Sequence, residues 1–189
     1  MVTTPQTNPK ITLDQFLQLP ETKPYREYLY GQIQAKPMPQ GQHSVLQARL
    51  GAKINEQVLP SKLAYALPEL RCTFGGLSIV PDLSIVTWPR IPRNEQGKIA
   101  NRFATYPDWV IEILSPEQSA NKVIKKIKFC LEQGTELGWL LDPDDESVMI
   151  LTPNQFPDIQ SNTEPLTVIE DLQNHLQLSA QEIFSWLTF

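Results

Sequence analysis

Apolar residues along the chain change their spacing several times, and each change marks an expected element. In residues 43–59 they recur at Val45, Leu46, Ala48, Leu50, Ile54 and Val58, a helical period that Pro60 stops. Upstream, Thr12 is placed to cap a short helix through Gln18, ended by Pro20 and Pro24. Residues 25–37 carry β-formers around Gly31, the pattern of a hairpin with a tight turn. Strands are expected at 63–67, 70–74 and 78–87, the last two antiparallel about Gly75-Gly76. Residues 89–107 have no period and predict a long mobile loop. A strand at 109–114, a helix at 119–133 ended by Gly134, and strands at 137–141 and 147–151 follow, before a last helix that Ser179 caps. Strands interrupted by two long helices make a mixed β-sheet with helices packed on it, an α/β fold. The expected organisation is a flexible N-terminus at 1–10 and a single domain at 11–189.

Composition adds exclusions. The 189 residues are 41% hydrophobic and 20% charged, which fits an ordinary globular chain and not a disordered one. No run of about 18 apolar residues is present, so the expectation is a cytoplasmic protein with no membrane partner. Two cysteines, Cys72 and Cys130, are too few for a disulfide framework and read as buried apolar residues. The net charge of −5 conceals an asymmetry: all 16 Lys and Arg lie at or before Lys128, while residues 129–189 hold 11 acids and no base. A polyanion would be attracted to one part of such a molecule only, although an unevenly solvated surface gives the same count.

The carboxylates of interest stand where apolar residues surround them. Asp82 interrupts the apolar run 77–86 and Glu112 interrupts the run 109–114. On strands, alternation would place Asp82 with Val80 and Ser84, and Glu112 with Val110 and Leu114. Burying a lone carboxylate is costly unless it is paired, protonated or bound to a cation. Either acid alone reads as a strand-end group in water or the partner of an arginine.

Together they form an order: Pro81-Asp82, an acid about 30 residues later on another strand, then a Lys-rich helix. That order resembles the PD-(D/E)XK nuclease superfamily. The segments PDLSIV, PDWVIEILSPEQS and LGWLLDP, with Glu27-Tyr28-Leu29-Tyr30-Gly31-Gln32-Ile33, Pro37-Met38-Pro39 and His43, resemble the restriction-endonuclease-like Uma2 family, plentiful in cyanobacteria. The resemblance covers most of the chain and implies a restriction-endonuclease-like fold. It also implies an Mg²⁺ or Mn²⁺ ion held by Asp82, Glu112 and the backbone carbonyl of Ile113, which would activate water against a scissile phosphate. The superfamily lysine is absent at its usual place, where Leu114 stands, and the family moves it to the following helix. Counting along that helix gives Lys126, with Lys122, four residues earlier, at a position where the family commonly has Asp. Both lie along one edge of the apolar arc of Val123, Ile124, Ile127, Cys130 and Leu131, whereas Lys125 and Lys128 face solvent.

Glu27 is a further candidate acid, balanced against a surface strand position. His43 could touch a phosphate or orient a carboxylate, or simply pack. Arg71, Arg90, Arg93, Lys98 and Arg102, in or beside the long loop, are candidates for gripping a nucleic acid, which would make binding salt-dependent. The function implied is a metal-dependent endonuclease acting on phosphodiester bonds in DNA, with a homodimer expected for cutting two strands. The competing reading is a non-catalytic module that keeps the fold for binding or dimerisation. Catalysis requires Asp82 and Glu112 to share one ion beside a lysine; arginine side chains between them would favour the module.

Overall fold

The computed structural model describes residues 11–116 and 118–188, so the expected flexible segment 1–10 lies outside the described residues. In chain order the elements are α1 (Leu13–Leu17), β1 (Arg26–Leu29), β2 (Gln32–Ala35), α2 (Gly41–Val58), β3 (Ala64–Pro68), β4 (Cys72–Phe74), β5 (Leu77–Ile79) and β6 (Leu83–Thr87). They continue with β7 (Trp109–Ile113), α3 (Ala120–Glu132), β8 (Leu137–Asp142), β9 (Ser147–Leu151), β10 (Asp158–Gln160) and α4 (Ala180–Ser185). A four-stranded sheet has the order β2-β1-β5-β4, and a six-stranded sheet the order β10-β9-β8-β7-β6-β3. Within the six-stranded sheet β7 and β8 are parallel, and α3 is the crossover that a parallel pair needs.

The strand expected at 78–87 breaks at Val80-Pro81-Asp82, with β5 before the break and β6 after it in different sheets. Pro81 has no N–H to give a ladder. The Val80 N–H leaves the ladder as well, donating to the Glu27 carboxylate at 2.8 Å. Asp82 is therefore not a strand residue but the point where the chain passes from one sheet to the other. Residues 89–107 also differ from the mobile loop expected. Ile91 and Phe103 are buried, and the Thr73 N–H donates to the Phe103 carbonyl at 2.9 Å. Single apolar residues separated by polar stretches fasten a segment without leaving a period to read. Three-residue β10, polar and at a sheet edge, had no pattern to announce it.

Alternation on the six-stranded sheet builds two cores. Leu83, Ile85, Trp109, Ile111, Ile113, Trp139 and Leu141 pack with Leu46, Leu50, Ile54 and Val58 of α2 and with the C-terminal segment. Val86, Val110 and Leu140 face the other way, against Val123, Ile127 and Cys130 of α3 and against Cys72 and Ile79 of the smaller sheet. Both cysteines are buried as expected. Helix α3 lies close to β8 because Gly138 has no side chain: a Cβ there would stand 2.1 Å from Ile127 Cγ2. Among the described residues no helix is long and apolar enough to cross a membrane.

Candidate functional site

The site lies where β6 and β7 begin to separate. Their antiparallel register pairs Leu83 with Ile111, so one more step places Asp82 opposite Glu112. Like charges directly opposite on neighbouring strands repel, and burial leaves water little part in screening them: Asp82 and Glu112 are 1% and 2% exposed. The surrounding groups carry the compensation. Asp82 Oδ2 accepts from the Ile113 N–H at 2.7 Å and lies 3.2 Å from His43 Nε2 on the first turn of α2, while Asp82 Oδ1 lies 2.5 Å from Lys36 Nζ. Lys126 enters from α3, with Nζ 2.7 Å from Glu112 Oε1 and 3.0 Å from Glu27 Oε1. The Asp82 backbone carbonyl is held by the Gln47 side-chain amide at 2.9 Å.

The structure thus brings together Asp82, Glu112, Glu27, Lys126 and His43, all buried. Lys122 is exposed one turn before Lys126 and lines a cleft of about 240 Å³ with Glu27, Lys36 and Lys126. A second cleft, of about 460 Å³, opens on the His43 side and runs past Ser115 to Asp142 and Asp144. Lys125 and Lys128 are exposed. None of the arginines considered for nucleic-acid contact lines either cleft. Arg71 is bound by both oxygens of Glu21, at 2.9 and 2.8 Å, and donates to the Arg26 carbonyl. Arg90 pairs with Asp108 and lies over the Tyr106 ring, and Arg93 lies over Trp88. Lys98 and Arg102 are exposed on the same loop.

Lys36 is the site residue that the sequence reading missed. It follows β2 beside Pro37, where a lysine reads as an exposed strand end. The hairpin register carried the signal: Glu27 faces Gln34, and Lys36, two residues further on, shares that face.

The electrostatics follow from burial and neighbours. Burial alone would raise the Asp82 carboxyl, but the hydrogen bond from His43 and the charges of Lys36, His43 and Lys126 hold it well below the usual carboxylate range. Burial pushes Glu112 up to about 7, with the Asp82 charge adding to the rise and Lys126 opposing it. Desolvation would lower Lys126, yet Glu112, Glu27 and Asp82 outweigh it and keep the ammonium charged.

Among the described residues no group of three or more His, Cys, Asp and Glu side chains is arranged to hold a metal ion. The two-carboxylate pair still fits a hard cation, because Asp82 and Glu112 are buried oxygen donors set opposite each other by the β6–β7 register. Mg²⁺ takes oxygen ligands and commonly binds through one or two carboxylates, keeping waters and substrate phosphate for the rest.

The Uma2 family, described as putative restriction endonucleases, matches the chain over residues 13–181. The chain belongs to the Uma2 family. A solved structure of a putative nuclease from Anabaena variabilis is similar at 50% identity and a TM-score of 0.91, covering 94% of this chain and 99% of that one. The α/β fold is accordingly the nuclease fold of Uma2 proteins, as the order of acids and lysines implied. No curated protein matches the chain. Two lysines and a histidine, and no arginine, are paired with Asp82 and Glu112 of this Uma2 chain among the described residues.

Proposed function

We propose that the protein is a divalent-metal-dependent endonuclease that hydrolyses phosphodiester bonds in DNA, with Asp82 and Glu112 as the side-chain metal ligands. The observation that carries this reading is the pair of buried carboxylates, Asp82 and Glu112, set opposite each other by the β6–β7 register, with their partners lining two clefts. The backbone carbonyl of Ile113 is the proposed third protein ligand. Bound Mg²⁺ or Mn²⁺ would polarise the scissile phosphate and lower the pKa of a water. The chain's own groups prepare for this. The Ile113 N–H and His43 fix the Asp82 carboxylate through Oδ2, leaving Oδ1 to point elsewhere. Lys126, itself held by Glu27, restrains Glu112 from the α3 side. Lys122, on the cleft, would add phosphate attraction. A two-fold pair of chains acting on both strands is part of the proposal.

The test is calorimetric titration of Mn²⁺ into the wild type and Asp82→Ala, followed by incubation of both with supercoiled plasmid. Binding and nicking are expected in the wild type and in neither case for the variant. An Asp82→Ala protein that still cleaves would refute the ligand assignment. The non-catalytic reading has one observation in its favour, since Lys36 and Lys126 pair with the two acids and compensate their charge. Absence of Mn²⁺ binding even with a DNA duplex present would decide for it.

A further inference from the structure

We propose that Lys36 is the lysine that meets the substrate phosphate, and that its ammonium competes with a divalent cation for Asp82 Oδ1; this rests on the nuclease reading of the same site. The two lysines differ in their commitments. Lys126 lies on the apolar face of α3 between two carboxylates, at 2.7 Å from Glu112 and 3.0 Å from Glu27. Releasing it would leave both acids buried and uncompensated. Lys36 has one carboxylate contact, Asp82 Oδ1 at 2.5 Å. With one carboxylate partner against two for Lys126, Lys36 is the lysine whose displacement uncovers a single acid.

Asp82 also has only one oxygen to offer. Oδ2 is taken by the Ile113 N–H and His43, so a metal ion must approach through Oδ1, the atom Lys36 covers. A divalent ion and an ammonium cannot share that point. Lys36 stands at the end of the β1–β2 hairpin in the wall of the 240 Å³ cleft, and its flexible four-carbon stem lets the displaced ammonium turn into that cleft. The ammonium exchanges the Asp82 carboxylate for a phosphodiester oxygen as its partner. Metal arrival and phosphate capture are thereby coupled: each makes room for, or rewards, the other.

The test titrates Mn²⁺ by calorimetry into the wild type, Lys36→Gln and Lys36→Met, with Lys128→Gln as a control that removes the same charge from the exposed face of α3. Lys36→Met keeps the packing of the stem, so a folding defect in the Gln variant alone would not decide the matter. Both Lys36 variants are expected to bind Mn²⁺ about tenfold tighter than the wild type. At saturating Mn²⁺ their plasmid cleavage is expected to fall by about 100-fold, with Lys128→Gln unchanged in both measurements. Unchanged or weaker Mn²⁺ binding in the Lys36 variants overturns the competition for Asp82. Tighter binding with undiminished cleavage overturns the phosphate contact. A wild type that binds no Mn²⁺ overturns this inference together with the nuclease reading, an outcome distinct from failure of the Lys36 variants alone.

Discussion

Lys126 is the side chain on which the buried charges of the cluster depend. It faces two carboxylates from within an apolar helix face, and removing one partner of a buried ion pair leaves the other without compensation. Lys126→Met is expected to lower stability by about 3–5 kcal/mol, measured by urea unfolding at pH 8 with a chelator present. A loss near zero would mean that Glu112 takes up a proton in its absence. Glu112 gives the site a pH dependence of its own. Its carboxyl is raised from 4.5 to about 7 by burial, so the folded state holds the proton more tightly than the unfolded chain. The stability it contributes is therefore complete below about pH 4.5 and is lost as pH rises through 7. Asp82, held low, works in the opposite sense and loses its contribution only as pH falls below the usual carboxylate range. Unfolding midpoints in chelator should thus decline from pH 5 to pH 8 in the wild type, with that decline flattened in Glu112→Gln. Equal slopes in the two proteins would show that Glu112 is ionised throughout. At this scale Asp82 and Glu112 were legible because an acid inside an apolar run is conspicuous. Lys36 was not, because a lysine after a short polar strand looks the same whether it meets water or a buried acid.

Among the elements, the seating of α3 on β8 determines whether Lys126 reaches Glu112. The helix approaches closely enough that any side chain at Gly138 would collide with Ile127. Gly138→Ala is expected to destabilise by about 1–3 kcal/mol, as overpacking does, and to weaken Mn²⁺ binding by shifting α3. Ile127→Ala in the same chain should restore part of both losses, and a double-mutant cycle of unfolding free energies measures the coupling. Additive losses would place the strain elsewhere. The helix itself was evident from its period and its Gly134 stop, whereas its distance from the sheet was not, since a glycine in a strand pattern does not say which neighbour comes close. The break at Pro81 is similar. Pro81 disfavours one continuous strand, yet the expected strand ran through it, and the transfer of β5 to another sheet depends on Glu27 accepting the Val80 N–H from 53 residues away.

For the molecule as a whole, the acidic last third belongs to the main core. Leu166, Val168, Ile169, Leu172, Leu176, Leu178, Ile183 and Phe184 all pack into the core beside α2, and the Trp139 indole N–H donates to the Thr167 carbonyl at 3.0 Å. A chain ending at residue 160 is expected to lose cooperative unfolding and near-ultraviolet circular dichroism from the buried Trp109 and Trp139 pair, whose ring centroids are 4.5 Å apart. A truncated chain that melts like the full one would show that this segment only covers the sheet. The uneven charge along the sequence therefore reports no division into separate basic and acidic bodies, because apolar residues between the acids tie the two parts together.

The sequence by itself determined the α/β class, both long helices, most strands and the family, because these rest on local periods, proline and glycine stops, and short motifs. It also singled out the acids and preferred Lys126, since a helical wheel places a side chain relative to its own helix. The tertiary structure decided what those residues face. The separation of β5 from β6, the burial of Glu27, the contact of Lys36 with Asp82, and the engagement of Arg71 and Arg90 with nearby acids each depend on partners distant in sequence. The physical reason is that hydrogen bonds and ion pairs are satisfied by whichever groups packing brings within a few ångströms, and a local pattern carries no record of them.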